Sequence, residues 1–510
     1  MTPTRTDLPA PDNVPEGTER KLEKVFGSAM IWNLANNIVT NGITLAVFIF
    51  LTYKLSAVVF GIFALGVILV DFFNLQARSA CLDATLQRRL YSRVETSSVF
   101  WATMAVTLVV IVICAFFGSW LARVNNEPSL SLVMPVLALT LLPVPFSIPP
   151  NAMLIRDFDF RGNAIRSIVG ALAGGTAALI TVFSPYAEWA LVAQRGTQVT
   201  VQAAIFALRM RWWPSFHFSL PIAAGFLKDA GRIFAAQSIS SFHLRAIDLI
   251  IAFNFGAAAV GLLRIANRFV DVLNGTFIAP ISTLWVVLLS DKDQASIDRD
   301  LIYRRLSQMS ALLGVPIFGG LALVAHDLVA VALDKQYAQS GGILAILCAA
   351  GLFLPLTYFR NAAMIAVKRF NLLIVYCLFD FAIITVLANI LAKYSVEAVI
   401  LSLVLLEAIR MLLTVPVLLR DMGTKLSGLF FAVLPAYVAA VLMAGAVWLV
   451  DIQMIGWDPL VRLSVKIATG GFAYAGYLLI FHREWSMTAI AMLKPSGQKA
   501  GSTETAEAAV

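Results

Sequence analysis

Polar side chains recur at helical spacing inside otherwise apolar stretches of this chain. Asn33, Asn37, Asn41 and Thr44 follow one another at intervals of four, four and three, with Asn36 and Thr40 alongside. That spacing puts them on one face of a helix. Gln237, Ser241, Arg245 and Asp248 repeat the same intervals, and Arg264, Asn267, Arg268, Asp271 and Asn274 share a further stripe. Asp71 and Asn74 occupy matching positions in an earlier segment, without the two arginines. A guanidinium is suited to bidentate phosphate binding. At about 1.5 Å rise per residue, Arg245, Arg264 and Arg268 lie roughly 12, 10 and 16 Å from the outer ends of their helices. They could therefore converge at one depth, and a cationic cavity suggests an anionic substrate.

The same residues allow a purely structural role. Arg245–Asp248, Arg268–Asp271 and Glu407–Arg410 each set an arginine three residues from an acid, so each pair could neutralise itself on its own helix. Arg264 has no acid three or four residues away, which makes it the strongest single candidate for substrate contact. Asp71, Asp248, Asp271 and Asp380 could hold a coupling proton or cation, or could be satisfied packing residues. His243 reads as a packing residue, and Arg195 and Arg410 as structural or snorkelling ones.

The elements that position these residues follow from composition. Of 510 residues, 59% are hydrophobic and 13% charged, about half the usual charged share. That excludes a soluble enzyme, a disordered chain and a secreted disulfide scaffold. The apolar residues cluster into fourteen spans of about twenty residues, the length that crosses a bilayer. They lie at roughly 29–52, 55–75, 99–121, 130–150, 167–184, 187–208, 233–253, 257–289, 308–326, 340–359, 371–392, 396–418, 427–450 and 461–481. The first 28 residues read as a polar tail with no signal peptide, and the stretch from Pro495 as a disordered tail. The net charge of +8 sits mostly in alternate loops, including Arg78, Arg88, Arg89, Arg93, Arg156, Arg161 and Arg166. It therefore reports topology, with both termini cytoplasmic, and calls for no nucleic acid. Trp212 and Trp213, beside Arg209 and Arg211, read as an interfacial anchor. Cys81, Cys114, Cys348 and Cys377 have no metal-ligand spacing, and no Gly-x-x-x-x-Gly-Lys-Ser/Thr stretch is present. No metal or cofactor is implied, and ATP hydrolysis is not expected.

An internal repeat organises the spans. At an offset of about 200, Ala57/Ala257, Gly61/Gly261, Val70/Val270, Asp71/Asp271 and Asn74/Asn274 coincide. At an offset of about 210, Leu142/Leu352, Pro145/Pro355, Asn151/Asn361, Ala152/Ala362, Ile155/Ile365 and Phe160/Phe370 coincide. Helices six apart therefore correspond. The fold expected is all-α and polytopic: two six-helix bundles (29–210 and 231–420) related by a pseudo-two-fold axis, plus two C-terminal helices (421–483). A cytoplasmic linker at 211–230 would join the bundles. Such paired bundles are the plan of alternating-access transporters, with the substrate between them. The small-residue runs Gly170–Ala173–Gly174 and Gly470–Gly471–Gly476 would allow close helix contacts.

Five segments, in order, resemble the polysaccharide transporter, or oligosaccharide flippase, family of the multidrug/oligosaccharidyl-lipid/polysaccharide exporter superfamily. They are Trp32–Asn33–Leu34, Leu55 through Gly61 to Phe63, Ile155 through Arg161, Gly261–Leu262 through Arg268, and Ala322–Leu323 through Tyr337. Tyr337 stands where the family usually has Trp, and Val287 where a Pro is usual. The first bundle shows no deep arginine like those that related lipid flippases place in helices one and two. The resemblance implies export of a polyprenyl-diphosphate-linked oligosaccharide across the bacterial inner membrane during surface polysaccharide synthesis. Membrane lipids, and a polysaccharide polymerase and chain-length regulator, would be its partners. On that reading Arg245, Arg264 and Arg268 take the diphosphate, and Asn33, Asn37, Asn41, Gln237 and Ser241 hydrate or bind the sugars.

Two other functions fit the same plan less well. A cation-coupled multidrug antiporter would favour an acidic, aromatic cavity. A membrane polysaccharide polymerase would need a sizeable outer loop, and the longest expected here is about fifteen residues.

Overall fold

The computed structural model of the protein describes residues 36–87, 92–124, 127–156, 160–210, 213–278, 299–357, 370–417, 426–454 and 456–487. No strand occurs among them. The helices are α1 (Asn36–Thr52), α2 (Ala57–Gln87), α3 (Arg93–Val124), α4 (Leu130–Leu139), α5 (Val144–Arg156), α6 (Phe160–Val182), α7 (Ala190–Met210) and α8 (Leu220–Leu273). Then come α9 (Arg299–Ala332), α10 (Ser340–Gly351), α11 (Leu354–Thr357), α12 (Phe370–Leu391), α13 (Val396–Ile409), α14 (Leu426–Gln453) and α15 (Pro459–Phe481).

Eleven stretches among the described residues are long and apolar enough to cross a membrane. The chain is an all-α, multi-span membrane protein, but its span count is not fixed at fourteen. The expected first, sixth and seventh spans fall short for separate reasons. α1 is described only from Asn36. α7 carries Gln194, Arg195, Gln198 and Gln202. A kink at Gly256 divides α8 into a first arm, 220–255, and a second arm, 257–273; the seventh span is the first arm, and one apolar stretch, Arg245–Phe277, runs across the junction of the arms.

Both repeat offsets leave a mark on the backbone. α4 starts at Leu130 and α10 at Ser340; α4 gives way to a turn at 140–143 and α10 to one at 352–353. Leu142 and Leu352 lie in these two breaks. Pro145 and Pro355 are second in the helices that follow, where a missing N–H costs nothing. At the other offset, α2 crosses the second arm of α8 with their backbones touching. A Cβ at Gly261 would lie 2.7 Å from the Ala57 carbonyl oxygen and 2.9 Å from the Gly61 nitrogen, and one at Gly61 would overlap the Ala257 carbonyl. Ala57 thus meets Gly261 as Ala257 meets Gly61, the reciprocity a local two-fold axis produces.

The end of the molecule that holds this crossing is well packed. The largest core cluster joins Leu51, Phe60, Ile251, Val260, Phe318, Tyr337, Leu344 and Ile400, from α1, α2, α8, α9, α10 and α13 and the α9–α10 turn. The α1–α2 turn docks onto that turn. Tyr337 donates to the Leu55 carbonyl at 2.6 Å, Gln336 Nε2 donates to the same carbonyl at 3.3 Å, and the Ala57 N–H donates to Gln336 Oε1 at 3.3 Å. Burial, helped by Asp334, pushes the Tyr337 phenol upward, so it stays a donor at physiological pH.

The expected 211–230 linker is largely something else. Ala223, Phe226 and Ala230 are the first turns of α8, packed in a core with residues of α3 and α4. Residues before them are pinned to α3: Ser215 Oγ sits 2.9 Å from Ser97 Oγ, Trp101 Nε1 donates to the Ser215 carbonyl at 3.0 Å, and the Ser219 N–H donates to Ser98 Oγ at 2.9 Å. Hydropathy misses this turn of helix because Lys228, Asp229 and Arg232 interrupt it. Trp213 stays 66% exposed, as an interfacial residue would, while Trp212 lies outside the described residues.

The C-terminal pair is bolted on by charge. Lys466 of α15 is buried against Asp327 of α9 at 2.5 Å and also pairs with Asp451 of α14. Arg462 reaches Asp451 at 2.5 Å. Gly470 packs on Val447 and Met443, whereas Gly471 and Gly476 face open space. The earlier small-residue run does bring helices close: a Cβ at Gly170 would strike the Gln202 side chain, and one at Gly174 would lie 2.6 Å from the Gln194 carbonyl. All four cysteines are free and buried.

Candidate functional site

Two polar stripes on α8 meet because the helix folds back on itself. In a straight helix Asp248 and Arg264 would stand roughly 24 Å apart. Arg264 Nη2 lies 3.3 Å from Asp248 Oδ2. The reversal occurs at Gly256, whose φ of 77° and ψ of −174° belong to a region open essentially to glycine alone. Arg245 Nη1 approaches the same carboxylate oxygen at 3.4 Å. Arg264 therefore has an acid partner after all, sixteen residues earlier and across the bend, where a search along its own helix cannot find it.

Arg268 does not bond Asp271, its neighbour on the helix; Arg268 Nη2 donates to Thr44 Oγ1 of α1. Thr44 in turn donates to the Thr40 carbonyl at 2.8 Å. Asn37 Nδ2 donates to the Gly275 carbonyl at 3.3 Å, and a Cβ at Gly275 would lie 3.2 Å from Asn41 Nδ2. The α1 amide stripe thus runs along the second arm of α8, ending beside the π-helical turn Asn274–Ile278. Asp271 is exposed on this surface, within electrostatic reach of Arg268, Arg264, Arg245 and Asp248. Three arginines against two aspartates leave one positive charge. Arg264 Nε, Asn74 Oδ1 and Asn274 Oδ1 are buried without a hydrogen-bond partner among the described residues. The last two are repeat equivalents. Such a surface can hold an anionic group and offer amide and hydroxyl groups to polyhydroxyl neighbours.

The remaining candidates fall elsewhere. Asp71 of α2 pairs with Arg195 of α7 at 2.5 Å, inside the first set of helices. Asp380 of α12 pairs with Arg410 at 3.0 Å, and Arg410 also pairs with Glu407. Gln237, Ser241 and His243 lie on the first arm of α8, but their side chains are not among those described. Asn33 lies outside the described residues.

Two arginines missed by hydropathy are also part of the picture. Arg78 and Arg166, expected in inner loops, lie inside helices, because α2 continues to Gln87 and α6 begins at Phe160. The signal was present for Arg78: Asp71, Asn74 and Arg78 are spaced three and four, so it continues the α2 stripe.

Residues 51–341 match the model of a family described as polysaccharide biosynthesis protein. The chain belongs to this family. It is 24% identical over 336 residues to the succinoglycan biosynthesis transport protein ExoT of Rhizobium meliloti (strain 1021), covering 64% of this chain and 67% of that one. It is 22% identical over 335 residues to the lipopolysaccharide biosynthesis protein WzxC of Escherichia coli (strain K12), covering 65% and 67%. Its fold is similar to the lipid II flippase MurJ in an inward closed conformation, with TM-score 0.66 and 14% identity over 91% of this chain and 99% of that one. An inward-facing multidrug resistance MATE family transporter gives TM-score 0.51 and 16% identity over 78% and 96%. The two structural likenesses show the fold alone: a multi-span, all-α plan.

Proposed function

We propose that the protein translocates polyprenyl-diphosphate-linked oligosaccharide repeat units across the bacterial inner membrane, for synthesis of a surface polysaccharide. The observation that carries this reading is the bend at Gly256, which gathers Arg245, Arg264 and Arg268 beside the α1 amide stripe. A diphosphate and its sugars cannot cross hydrocarbon unaided. Here the arginines hold the diphosphate and the amides of Asn37 and Asn41 meet the sugars, while the lipid tail stays in the bilayer. Membership of the polysaccharide biosynthesis family and the names of the two relatives support the substrate class. The protein is a transporter and is assigned no catalytic residue.

Alternating access supplies the motion. Two bundles, 29–210 and 231–420, rock about the substrate, and the helices 421–483 accompany the second through Lys466. The excess of basic residues in alternate loops puts both termini in the cytoplasm. The Gly61/Gly261 crossing then lies at the periplasmic end and is closed in this conformation. Asp71, Asp248, Asp271 and Asp380 are the acids available for coupling to a proton or cation. A polymerase and a chain-length regulator would act on the product.

The test is a deletion strain, from which polyprenyl-linked oligosaccharides are extracted and assigned to a membrane face. Complete repeat units accumulating on the cytoplasmic face, with surface polymer lost, are expected. Normal polymer with no accumulation would overturn the reading.

A further inference from the structure

The arginine–carboxylate pairs of this protein are not closed to the same degree. Arg195 meets Asp71 at 2.5 Å, Arg462 meets Asp451 at 2.5 Å and Arg410 meets Asp380 at 3.0 Å. At the bend in α8 the contacts are longer. Arg245 Nη1 stands 3.4 Å and Arg264 Nη2 stands 3.3 Å from one oxygen of Asp248, Oδ2. A charge-assisted bond is about 2.7–2.9 Å long, and an arginine bonds a carboxylate best with both prongs of its fork. Here each arginine brings one nitrogen to an oxygen that it shares with the other. Arg264 Nε, on the same guanidinium, is buried with no acceptor among the described residues.

The acid lies behind the arginines. Its side chain is 8% exposed, and those of Arg245 and Arg264 are 23% and 24% exposed. An anion therefore reaches guanidinium before it reaches carboxylate. Two arginines brought together by a bend repel one another, and a carboxylate in contact with both offsets that repulsion. The same carboxylate opposes any anion that follows, because its charge acts on the incoming phosphate at close range. A shared and loosely held acid thus has two effects. It keeps the guanidinium groups gathered while the site is empty, and it takes them back when the anion leaves. Transport needs the second effect as much as the first, since an anion held by unopposed arginines in a half-buried site is slow to depart.

We propose that Asp248 is a positioning residue of the translocation cycle: an internal counter-ion that competes with the substrate's phosphate for Arg245 and Arg264 and sets how readily the phosphate is released. The identity of the substrate rests on the flippase reading. The competition rests on the geometry at the bend.

The experiment uses the full chain. In nanodiscs of phosphatidylcholine, the thermal midpoint is read during titration with inorganic pyrophosphate. In liposomes, the transbilayer rate of a polyprenyl-diphosphate oligosaccharide is read against its concentration. Asp248→Asn, nearly isosteric, should half-saturate with pyrophosphate at a concentration about tenfold lower than the unaltered protein. In liposomes it should lower the half-saturating concentration and the maximal rate together, the signature of a ligand held too long. Asp248→Glu, which keeps the charge, should behave like the unaltered protein in both assays. A residue that only held the fold would weaken pyrophosphate binding or leave it unchanged when altered. Should Asp248→Asn alone fail to fold, the paired variant Arg245→Gln/Asp248→Asn removes one charge of each sign. Arg245→Gln should weaken pyrophosphate binding, and the added Asp248→Asn should restore it. Asp248→Asn binding pyrophosphate no more tightly than the unaltered protein, or no restoration in the paired variant, overturns the proposal. Absence of protection in the unaltered protein overturns the anion cluster and the proposal with it. Neither result depends on a lipid-linked saccharide, so both are distinguishable from failure of the flippase reading, which shows in the deletion strain.

Discussion

α2 and the second arm of α8 are equivalent in sequence, yet they share only half of their structure. Where they cross, they are interchangeable: each glycine receives the other helix's alanine carbonyl. Further along, Asp71 is neutralised by Arg195 within its own set of helices. Its equivalent, Asp271, stays exposed beside three arginines. Close approach of two backbones is a steric demand that both repeats must meet alike. Binding an anion needs charge on one side only, and the second repeat carries it at this surface.

The comparison is sharpest in export. Arg264→Ala with Arg268→Ala should reduce export about a hundredfold, as expected when charged hydrogen bonds worth about 2.7 kcal/mol are lost, with the protein still folded in the membrane. Asp71→Ala, which breaks the pair with Arg195 and leaves the α8 arginines in place, should reduce it by less than about tenfold. Equal losses in the two variants, measured as surface polymer per folded protein, would erase the asymmetry. At the crossing the expectation reverses. Gly61→Val and Gly261→Val should each destabilise by about 2–3 kcal/mol, the range for forced overpacking, and should match one another in thermal midpoint. A large difference between them would break the two-fold relation.

Smaller effects are expected where no repeat partner exists. Lys466→Ala leaves Asp327 without its buried amine, and should cost about 2 kcal/mol, discounted because Asp451 is partly exposed. Its readout is thermal stability of the C-terminal pair with export per folded molecule unchanged. Tyr337→Phe removes one hydrogen bond to Leu55 and should cost about 1 kcal/mol.

Much of this architecture is legible in the sequence, for physical reasons that can be named. The 3.6-residue pattern is local, and so are span lengths; the spans from α2 through α6 and from α9 through α15 therefore emerge directly. The repeat emerged because Gly61/Gly261 and Pro145/Pro355 answer backbone demands that few other residues can meet. Partnership between charges did not. Arg264 has no acid three or four residues away, and only the bend at Gly256 brings Asp248 to it. Arg195 reads as structural or snorkelling, and the pattern does not name its partner, Asp71, on another helix. Arg166 looked like a loop charge because hydropathy falls at the same place whether a helix ends or carries a buried guanidinium. The α8 start at Leu220 was hidden likewise by Lys228, Asp229 and Arg232.

The central claim is that the arginines gathered at Gly256 move a diphosphate-linked saccharide across the bilayer. The most direct measurement reconstitutes the purified protein in liposomes and follows transbilayer movement of a polyprenyl-diphosphate oligosaccharide. The account predicts movement by the unaltered protein and at least a tenfold slower rate for Arg264→Gln/Arg268→Gln at equal reconstitution. Equal rates for the two, or no movement by either, would contradict it.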